Sequence, residues 1–246
     1  MIELRELAVG FPGRTVLEVE AMTVPDGALT CLLGLNGTGK TTLLRGICGI
    51  IAPAAGSVRV DGQPVRAHRE TPATLGMHLD YRAFDPRHTV RRHLRWIARA
   101  RGIPTARVGE VLDIVRLTDV ADRRLGHYSL GMLQRAGIAA ALLSAPRTLL
   151  LDEPFNGLDI AGIRWLRTLL RDLAEAGTCV LVTTHTLDEV ERTADRVVVL
   201  GGGRVLADDT LTGLLESRRP AEKTLEDVYL RIAGMPGDPT PAGGRS

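Results

Sequence analysis

Aromatic residues and cysteines are scarce in this chain of 246 residues, and each scarcity argues against a class of protein. Phe, Trp and Tyr together make up 3% of the sequence, so stacking platforms for single-stranded nucleic acid are not expected. The net charge of +2, with both signs spread along the chain, predicts no bulk attraction for nucleic acid either. Cys31, Cys48 and Cys179 form no C-x-x-C pair, and we interpret them as reduced core residues of a cytosolic protein.

Long hydrophobic runs are also missing. No stretch of about 18 apolar residues occurs, so we predict no membrane-spanning helix. Met1 leads directly into a mixed polar segment, and we expect no signal peptide. The length suits one large α/β domain or a domain with an inserted lobe.

Lysine is rare as well, which makes its positions informative. Of the 31 basic residues only Lys40 and Lys223 are lysine. Lys40 lies in the segment GLNGTGKT, residues 34–41, which is a complete G-x-x-x-x-G-K-[ST] phosphate-binding loop. A compact ammonium on a thin stem can reach between the β- and γ-phosphates of a nucleotide, whereas the wide guanidinium of arginine cannot.

The surroundings of this loop have the order that such a site requires. The apolar run Leu29–Leu33 predicts a buried strand before the loop, and the pattern from Thr42 to Ile47 predicts a helix after it, with its positive N-terminus facing the anion. Glycines let backbone N–H groups close around phosphates, and the hydroxyl of Thr41 is the expected ligand of Mg²⁺. We expect nucleotide binding by Gly34, Asn36, Gly37, Thr38, Gly39, Lys40, Thr41 and Thr42.

Two further strand-like runs end in polar residues. Asp152 and Glu153 follow the apolar run Thr148–Leu151, and open α/β sheets bind their ligands at the carboxyl ends of strands. We expect Asp152 to hold Mg²⁺ and Glu153 to act as the general base that accepts a proton from the attacking water. His185 follows the run Cys179–Thr183 in the same way, where it could bind the γ-phosphate and hold the water in line.

Short apolar runs alternate with helical patterns, which predicts one α/β domain over residues 1–232 with a mostly parallel central sheet. The runs at residues 2–8 and 16–24 predict an antiparallel N-terminal edge. Residues 81–145 have a helical pattern and predict an inserted lobe, and the Gly/Pro-rich residues 233–246 predict a flexible tail. The other expected strands are Leu29–Leu33, Ser57–Val60, Leu75–Leu79, Thr148–Leu151, Cys179–Thr183 and Arg196–Leu200.

The order of these segments resembles the ATPase subunit of an ABC transporter over about residues 2–232. The resemblance implies a P-loop NTPase fold, ATP and Mg²⁺ as ligands, and ATP hydrolysis as the activity. It also implies a head-to-tail dimer, in which a helix that begins at Ser129 and includes Gly131 binds the γ-phosphate held by the opposite subunit, while Asp159 adds to the nucleotide site. The segments that carry the resemblance are the phosphate loop, Ser129–Arg135, Asp152-Glu153-Pro154, Gly157-Leu158-Asp159 and Thr184-His185.

Some positions differ from the usual family pattern. Residues 128–132 read Tyr-Ser-Leu-Gly-Met where the family has Leu-Ser-Gly-Gly-Gln, so the backbone N–H groups remain but the glutamine side chain is lost. Asp80 stands where the family has a Mg²⁺-contacting glutamine, and it keeps an oxygen ligand in the form of a carboxylate, as in some drug and peptide-antibiotic exporters. Phe11 stands where the family stacks an aromatic residue on adenine.

The resemblance thus predicts a cytosolic ATPase subunit on the inner face of the membrane, which powers a separate permease that exports drug-like or antibiotic compounds. Its expected partners are a second copy or a related ATPase subunit, and a permease that contacts the lobe, where Arg91, Arg95 and Arg99 share one helical face. Two alternatives stay open, namely a soluble ABC-type ATPase acting in cluster assembly or DNA repair, and a regulatory nucleotide-binding module with little hydrolysis. A GTPase is disfavoured because no Asn-Lys-x-Asp guanine motif occurs.

Overall fold

The structure, a computed structural model, describes residues 1–11, 14–65, 74–80, 83–220 and 222–235, and the side chains of Phe11 and Arg14 lie outside the description. Within these residues the chain forms a ten-stranded sheet with helices on its faces. The strands are β1 (Ile2–Phe11), β2 (Arg14–Val24), β3 (Leu29–Leu33), β4 (Ala55–Val60), β5 (Gln63–Pro64), β6 (Leu75–His78), β7 (Thr148–Leu151), β8 (Cys179–Thr184), β9 (Arg196–Gly201) and β10 (Arg204–Thr210). The helices are α1 (Lys40–Ile47), α2 (Val90–Ala100), α3 (Ala106–Ile114), α4 (Leu130–Leu142), α5 (Ile160–Glu175), α6 (Leu187–Thr193), α7 (Leu211–Glu216) and α8 (Leu225–Ile232).

The strand order is β5-β4-β1-β2-β10-β9-β3-β8-β7-β6. The five strands from β9 to β6 are parallel neighbours, whereas β1, β2, β4 and β5 pair antiparallel. The predicted α/β fold, with a mostly parallel central sheet and an antiparallel N-terminal edge, is therefore confirmed. Among the described residues no helix is both long and apolar enough to cross a bilayer.

Several element boundaries differ from the prediction. The strand expected over residues 2–8 continues to Phe11, because a shift of register between Val9 and Gly10 absorbs the glycine without ending the ladder. The strand expected to reach Leu79 ends at His78. β10 was missed because its sequence, RVLADDT, is polar and largely exposed at positions where a buried strand would be apolar.

The parallel strands are apolar because helices cover both faces of the sheet. Every residue of β3, β7 and β8 is buried, and alternate side chains enter two separate clusters. Cys31 lies in the cluster under α4 and α5, and Leu32 lies in the cluster under α1 and the N-terminal strands. All three cysteines are buried and unpaired, as predicted, and burial raises the pKa of the Cys31 thiol to about 12. The same parallel order brings the carboxyl ends of β3, β8 and β7 to one edge of the sheet.

The predicted helical lobe corresponds to α2, α3 and α4, within the part of residues 81–145 that is described. Its helix α4 lies directly on β6, the last strand of the sheet, and ends at Leu142. The two elements approach closely at Gly76, because a Cβ built there would lie 2.2 Å from the carbonyl oxygen of Ala141. Of the tail, the description covers residues 233–235, and its predicted flexibility stays a prediction.

The Gly76 contact yields a stability prediction. Gly76→Ala should lower the free energy of unfolding by about 1–3 kcal/mol, since a methyl group there forces a backbone shift in a packed interface. Gly109→Ala is the matched control, because Gly109 lies inside α3 with open space around its Cα and φ in the helical region. The control should gain roughly 0.5–1 kcal/mol from its lower unfolded-state entropy. Urea unfolding measures both changes, and equal midpoints for the two variants would contradict the close approach.

Candidate functional site

The phosphate loop connects β3 to α1 and needs glycine at its two ends. A Cβ at Gly34 would lie 2.5 Å from the carbonyl oxygen of Leu200, on the neighbouring strand β9. Gly39 has φ = 107°, a region that side chains with a Cβ rarely enter. The turn between them is fixed by Thr38, whose hydroxyl donates to the carbonyl of Leu35 at 2.8 Å. Asn36 and Gly37 are exposed at its tip, and Thr42 is half-buried in the first turn of α1.

Lys40, the first residue of α1, turns back over this loop. Its ammonium donates to the carbonyl oxygens of Gly34 at 2.7 Å and Leu35 at 3.2 Å. It also lies 3.3 Å from Oε1 of Glu153, which follows β7. Only 6% of the Lys40 surface is exposed, so these three partners provide most of what solvent would otherwise supply. The first turn of α1 contains no acidic residue, and its N-terminal dipole therefore remains available to an external anion.

Thr41 and Asp152, both predicted to bind Mg²⁺, meet at the end of β7. The Thr41 hydroxyl donates to Oδ2 of Asp152 at 2.6 Å, and Oδ1 accepts from the hydroxyl of Thr183. A hydroxyl and a carboxylate are the hard oxygen donors that Mg²⁺ prefers, and Mg²⁺ usually takes its other ligands from water and substrate phosphates. Among the described residues no cluster of three or more His, Cys, Asp or Glu side chains could hold a metal. Thr41 and Asp152 therefore fit a Mg²⁺ ion that takes its remaining ligands from phosphate and water, and not one that is coordinated by protein side chains alone.

Glu153 is held in an unusual backbone conformation with φ = 47°, in the left-handed region. Its N–H donates to the Thr183 hydroxyl at 2.8 Å, and its carbonyl accepts from the side-chain amide of Gln134 at 3.3 Å. The carboxylate lies between two cationic or polar groups, with Oε1 near Lys40 and Oε2 2.9 Å from Nδ1 of His185. The three residues that the sequence assigned to phosphate binding and catalysis therefore form one continuous chain of contacts.

The orientation of His185 has a different cause from the one that the sequence suggested. The pattern from Thr186 to Glu189 predicts a capping box, but the Thr186 side chain makes no capping hydrogen bond. Glu189 pairs instead with the guanidinium of Arg167, at 2.7 and 2.9 Å. The chain turns after β8 through the Thr186 N–H, which donates to the hydroxyl of Thr184 at 3.0 Å. His185 is thus placed by this turn and by its contact with Glu153.

Ser129, Gly131 and Asp159 lie at the beginnings of two helices. Ser129 caps α4 and accepts from the N–H of Met132 at 3.3 Å, and Asp159 caps α5 and accepts from the N–H of Gly162 at 2.7 Å. A Cβ at Gly131 would lie 2.8 Å from the carbonyl oxygen of Gly157, so the two helix starts touch. In the described part of the chain no hydrogen bond joins them to the phosphate loop of the same subunit.

Asp80 and Phe11 are not part of the chain of contacts formed by Lys40, Glu153 and His185 within the described residues. Asp80 lies two residues beyond the end of β6, is exposed, and contributes its charge to the surroundings of His78. Phe11 ends β1, and its side chain lies outside the described residues, so its stacking on adenine stays a prediction.

Three side chains at this edge were missed by sequence reasoning. Thr183 binds both Asp152 and the backbone of Glu153, and Gln134 joins the carbonyl of Glu153 to the ring of His78. The signal for Thr183 was available, since it is a polar residue at the buried end of an apolar strand. No pattern in the sequence indicates that Gln134 and His78, which lie 56 positions apart, are in contact.

Comparison with known proteins places this geometry in a family. Residues 17–156 match the family model described as ABC transporter. The chain is 39% identical over 218 residues to the uncharacterized ABC transporter ATP-binding protein YdbJ of Bacillus subtilis, covering 87% of this chain and 70% of that protein. It is 36% identical over 221 residues to the daunorubicin/doxorubicin resistance ATP-binding protein DrrA of Streptomyces peucetius, covering 88% and 67%. The dimeric structure of the bacterial ABC transporter cassette MJ0796 matches with a TM-score of 0.78 at 25% identity, covering 86% and 99%.

The double role of Thr183 can be tested by Thr183→Val. This change leaves the N–H of Glu153 and one carboxylate oxygen of Asp152 without their partner, and should lower the free energy of unfolding by about 1–3 kcal/mol. Thr168→Val is the control, because the Thr168 hydroxyl is exposed on α5 and donates only to a carbonyl of its own helix. The control should change stability by less than about 0.5 kcal/mol. Equal denaturant midpoints for the two variants would show that Thr183 does not organise the strand ends.

Proposed function

The chain belongs to the ABC transporter family, and on that premise we propose that it is an ATP-hydrolysing subunit that dimerises on MgATP and powers a separate membrane permease. The observation that carries the proposal is the convergence of Lys40, Thr41, Asp152, Glu153 and His185 at one edge of the sheet. These side chains supply phosphate binding, a metal ligand pair, a general base and a polar group for orienting water.

The phosphate loop and Lys40 would bind the phosphates of the nucleotide. The first N–H groups of α1 have no partner within the helix, as at any helix start, and the helix dipole there favours an anion. Lys40 would exchange its contacts with loop carbonyls and Glu153 for the β- and γ-phosphate oxygens, which together carry more negative charge than one carboxylate and two carbonyls. Asn36, Thr38 and Thr42 line the same turn, and Phe11 is the candidate for stacking on adenine.

Thr41 and Asp152 are the residues that would hold Mg²⁺, with the carboxylate of Asp80 as a third candidate. A bound Mg²⁺ neutralises charge on the phosphates and orients them. Thr183 keeps the Asp152 carboxylate fixed from its second oxygen, so that its other oxygen faces the Thr41 hydroxyl.

Hydrolysis needs a base beside the γ-phosphate, and Glu153 is the carboxylate in that place. A water oxygen attacks the γ-phosphorus as the bond to the β-phosphate oxygen breaks, and Glu153 takes the proton from the water. His185 contacts Oε2 of Glu153 at 2.9 Å through Nδ1, which orients the carboxylate, and its second ring nitrogen would contact the γ-phosphate or the water.

Dimerisation would complete the site. Ser129 and Gly131 lie at the N-terminus of α4, a helix of 13 residues, which has no hydrogen bond to the phosphate loop of its own subunit among the described residues. A second copy, or a related ATPase subunit, could offer the same helix start to the γ-phosphate, with Asp159 beside it. The structural similarity to a cassette described as dimeric supports this arrangement.

Coupling to a permease and the export of drug-like or antibiotic compounds are supported by the relative DrrA, whose name gives a drug-resistance role. We propose a cytoplasmic location for the subunit, peripheral on the inner face of the cell membrane. On α2, Arg95 and Arg99 are exposed, as is Arg92, whereas Arg91 pairs with Asp122 at 3.0 Å. The exposed arginines are the candidates for permease contact.

A second candidate function is a regulatory module that binds ATP and hydrolyses it slowly. The observation that favours it is the altered start of α4, where Leu130 replaces a glycine with an exposed apolar side chain and Met132 replaces a glutamine. The turnover number of the wild-type protein, measured with its permease, distinguishes the two.

The roles of Lys40 and Glu153 predict opposite effects of two substitutions. Lys40→Ala should sharply weaken MgATP binding, because it removes the ammonium that the phosphates contact. Glu153→Gln should bind MgATP normally but hydrolyse it roughly 10²–10⁴ times more slowly, and should accumulate as an ATP-bound dimer. Calorimetric titration, steady-state hydrolysis and size-exclusion chromatography measure these effects. Turnover by Glu153→Gln equal to that of the wild type would remove Glu153 from the role of base.

The permease contact predicts that an integral membrane protein co-purifies with the chain from solubilised native membranes. Charge reversal at Arg95 and Arg99 should reduce this recovery severalfold while leaving ATP binding unchanged, because both residues lie outside the nucleotide site. Arg204→Glu is the control, since Arg204 is also exposed, although it pairs with Glu18, and it lies on β10, five strands away from β6, on which α4 of the lobe packs. Repeated recovery of soluble proteins alone would favour the soluble ABC-type alternative.

A further inference from the structure

His78 is a buried imidazole at the end of β6 that the proposed mechanism does not use. It is 6% exposed, and its ring lies against α4 at Gly137. A Cβ at Gly137 would lie 2.1 Å from Cε1 and 2.2 Å from Nδ1 of the ring. Glycine at this position of α4 therefore makes the space that the imidazole occupies, although glycine costs a helix interior roughly 0.5–1 kcal/mol relative to alanine.

The partner of this ring is Gln134, one turn earlier on α4 and 2% exposed. Its Oε1 lies 2.6 Å from Nε2 of His78, and its Nε2 donates to the carbonyl of Glu153 at 3.3 Å. The second contact fixes the orientation of the amide, since the reverse orientation would set two oxygens against each other. His78 must then donate from Nε2, so a neutral ring carries its proton on Nε2 and not on Nδ1. Burial lowers the pKa of His78, which favours this neutral form.

The contacts join three parts of the catalytic edge. His78 ends β6, the strand that leads toward Asp80, and Gln134 belongs to α4, the helix that Ser129 caps. The carbonyl that accepts from Gln134 belongs to Glu153, which has φ = 47°. A residue in this backbone region keeps its conformation only when its surroundings hold it there. Besides Gln134, the peptide groups of Glu153 are held by the Thr183 hydroxyl and by the N–H of Asn156 at 3.2 Å.

We propose that His78 and Gln134 are positioning residues for ATP hydrolysis, which hold the backbone of Glu153 in register with α4 through the space left by Gly137. The proposal rests on the proposed function, in which Glu153 is the general base. Neither side chain touches the phosphates, and both act through the placement of the Glu153 carboxylate. Loss of the link therefore lowers kcat and leaves the KM for MgATP unchanged, because Lys40 and Thr41 still bind the phosphates.

The test compares His78→Leu with His78→Gln in the full-length chain. Leucine fills the space without a donor, whereas glutamine carries an N–H at about the reach of Nε2. We expect kcat to fall roughly 10- to 100-fold in His78→Leu, with an unchanged KM, and to recover in large part in His78→Gln. A kcat equal to that of the wild type in His78→Leu, or an equal loss in both variants, would overturn the proposal.

Gln134→Glu gives a second test that does not depend on the packing of residue 78. It keeps an acceptor facing His78 but replaces the donor to the Glu153 carbonyl by an oxygen. We expect a kcat loss similar to that of His78→Leu, measured on protein whose thermal unfolding shows it to be folded at the assay temperature. This variant decides the question if His78→Leu does not fold, and a wild-type kcat in it would refute the positioning role.

Gly137→Ala separates packing from positioning. The added methyl group displaces the ring, and kcat should fall; in the double variant Gly137→Ala/His78→Ala the clash is gone but kcat should stay low, because the hydrogen bond is also gone. Recovery of kcat in the double variant would show that the steric fit alone matters. Failure of the proposed function is a separate outcome, since the wild-type protein would then bind MgATP without hydrolysing it.

Discussion

The ion pair between Lys40 and Glu153 is the contact on which the rest of the site depends. An ammonium that is only 6% exposed is costly to bury unless charged or polar partners surround it. Its partners come from the loop after β3 and from the end of β7, and these two strands are separated by β8. The carboxyl ends of the three strands must therefore lie side by side at one edge of the sheet. The register of the parallel pairs β3–β8 and β8–β7 determines this alignment.

Glu153 has a strained backbone conformation, with φ = 47°. A residue other than glycine in the left-handed region costs roughly 1–3 kcal/mol. The structure offsets this cost with hydrogen bonds from three directions, namely from β8 through Thr183, from the following turn through Asn156, and from the lobe through Gln134. In this conformation the Glu153 carboxylate contacts both Lys40 and His185.

Sequence reasoning found the parts of the site that are contiguous in the chain. The phosphate loop and the acids after β7 are recognisable because glycine, lysine and carboxylates occur there at a fixed spacing next to apolar strands. It could not find the contact between His78 and Gln134, because nothing local to either residue indicates the other. The same limit explains β10, whose polar sequence forms a strand because it lies between β2 and β9 and pairs with β9 in an antiparallel ladder. The capping box predicted at Thr186 is absent for a related reason, since Glu189 pairs with Arg167 of α5, which lies 22 positions away in the chain.

Several polar groups of the site have protein partners in the structure itself. Thr41 donates to Asp152, and Lys40 donates to carbonyls and to Glu153, so the lysine and these two candidate metal ligands are already hydrogen-bonded. Binding is then an exchange of contacts, and its net free energy is the difference between two sets of charge-assisted hydrogen bonds. Under the proposed function, the phosphates that bind Lys40 take it away from Oε1 of Glu153, and this oxygen is then left to accept a hydrogen bond from the attacking water. In the proposed function the same lysine therefore connects phosphate binding with the availability of the Glu153 carboxylate, so the ion pair both fills the unliganded site and gives way to the substrate.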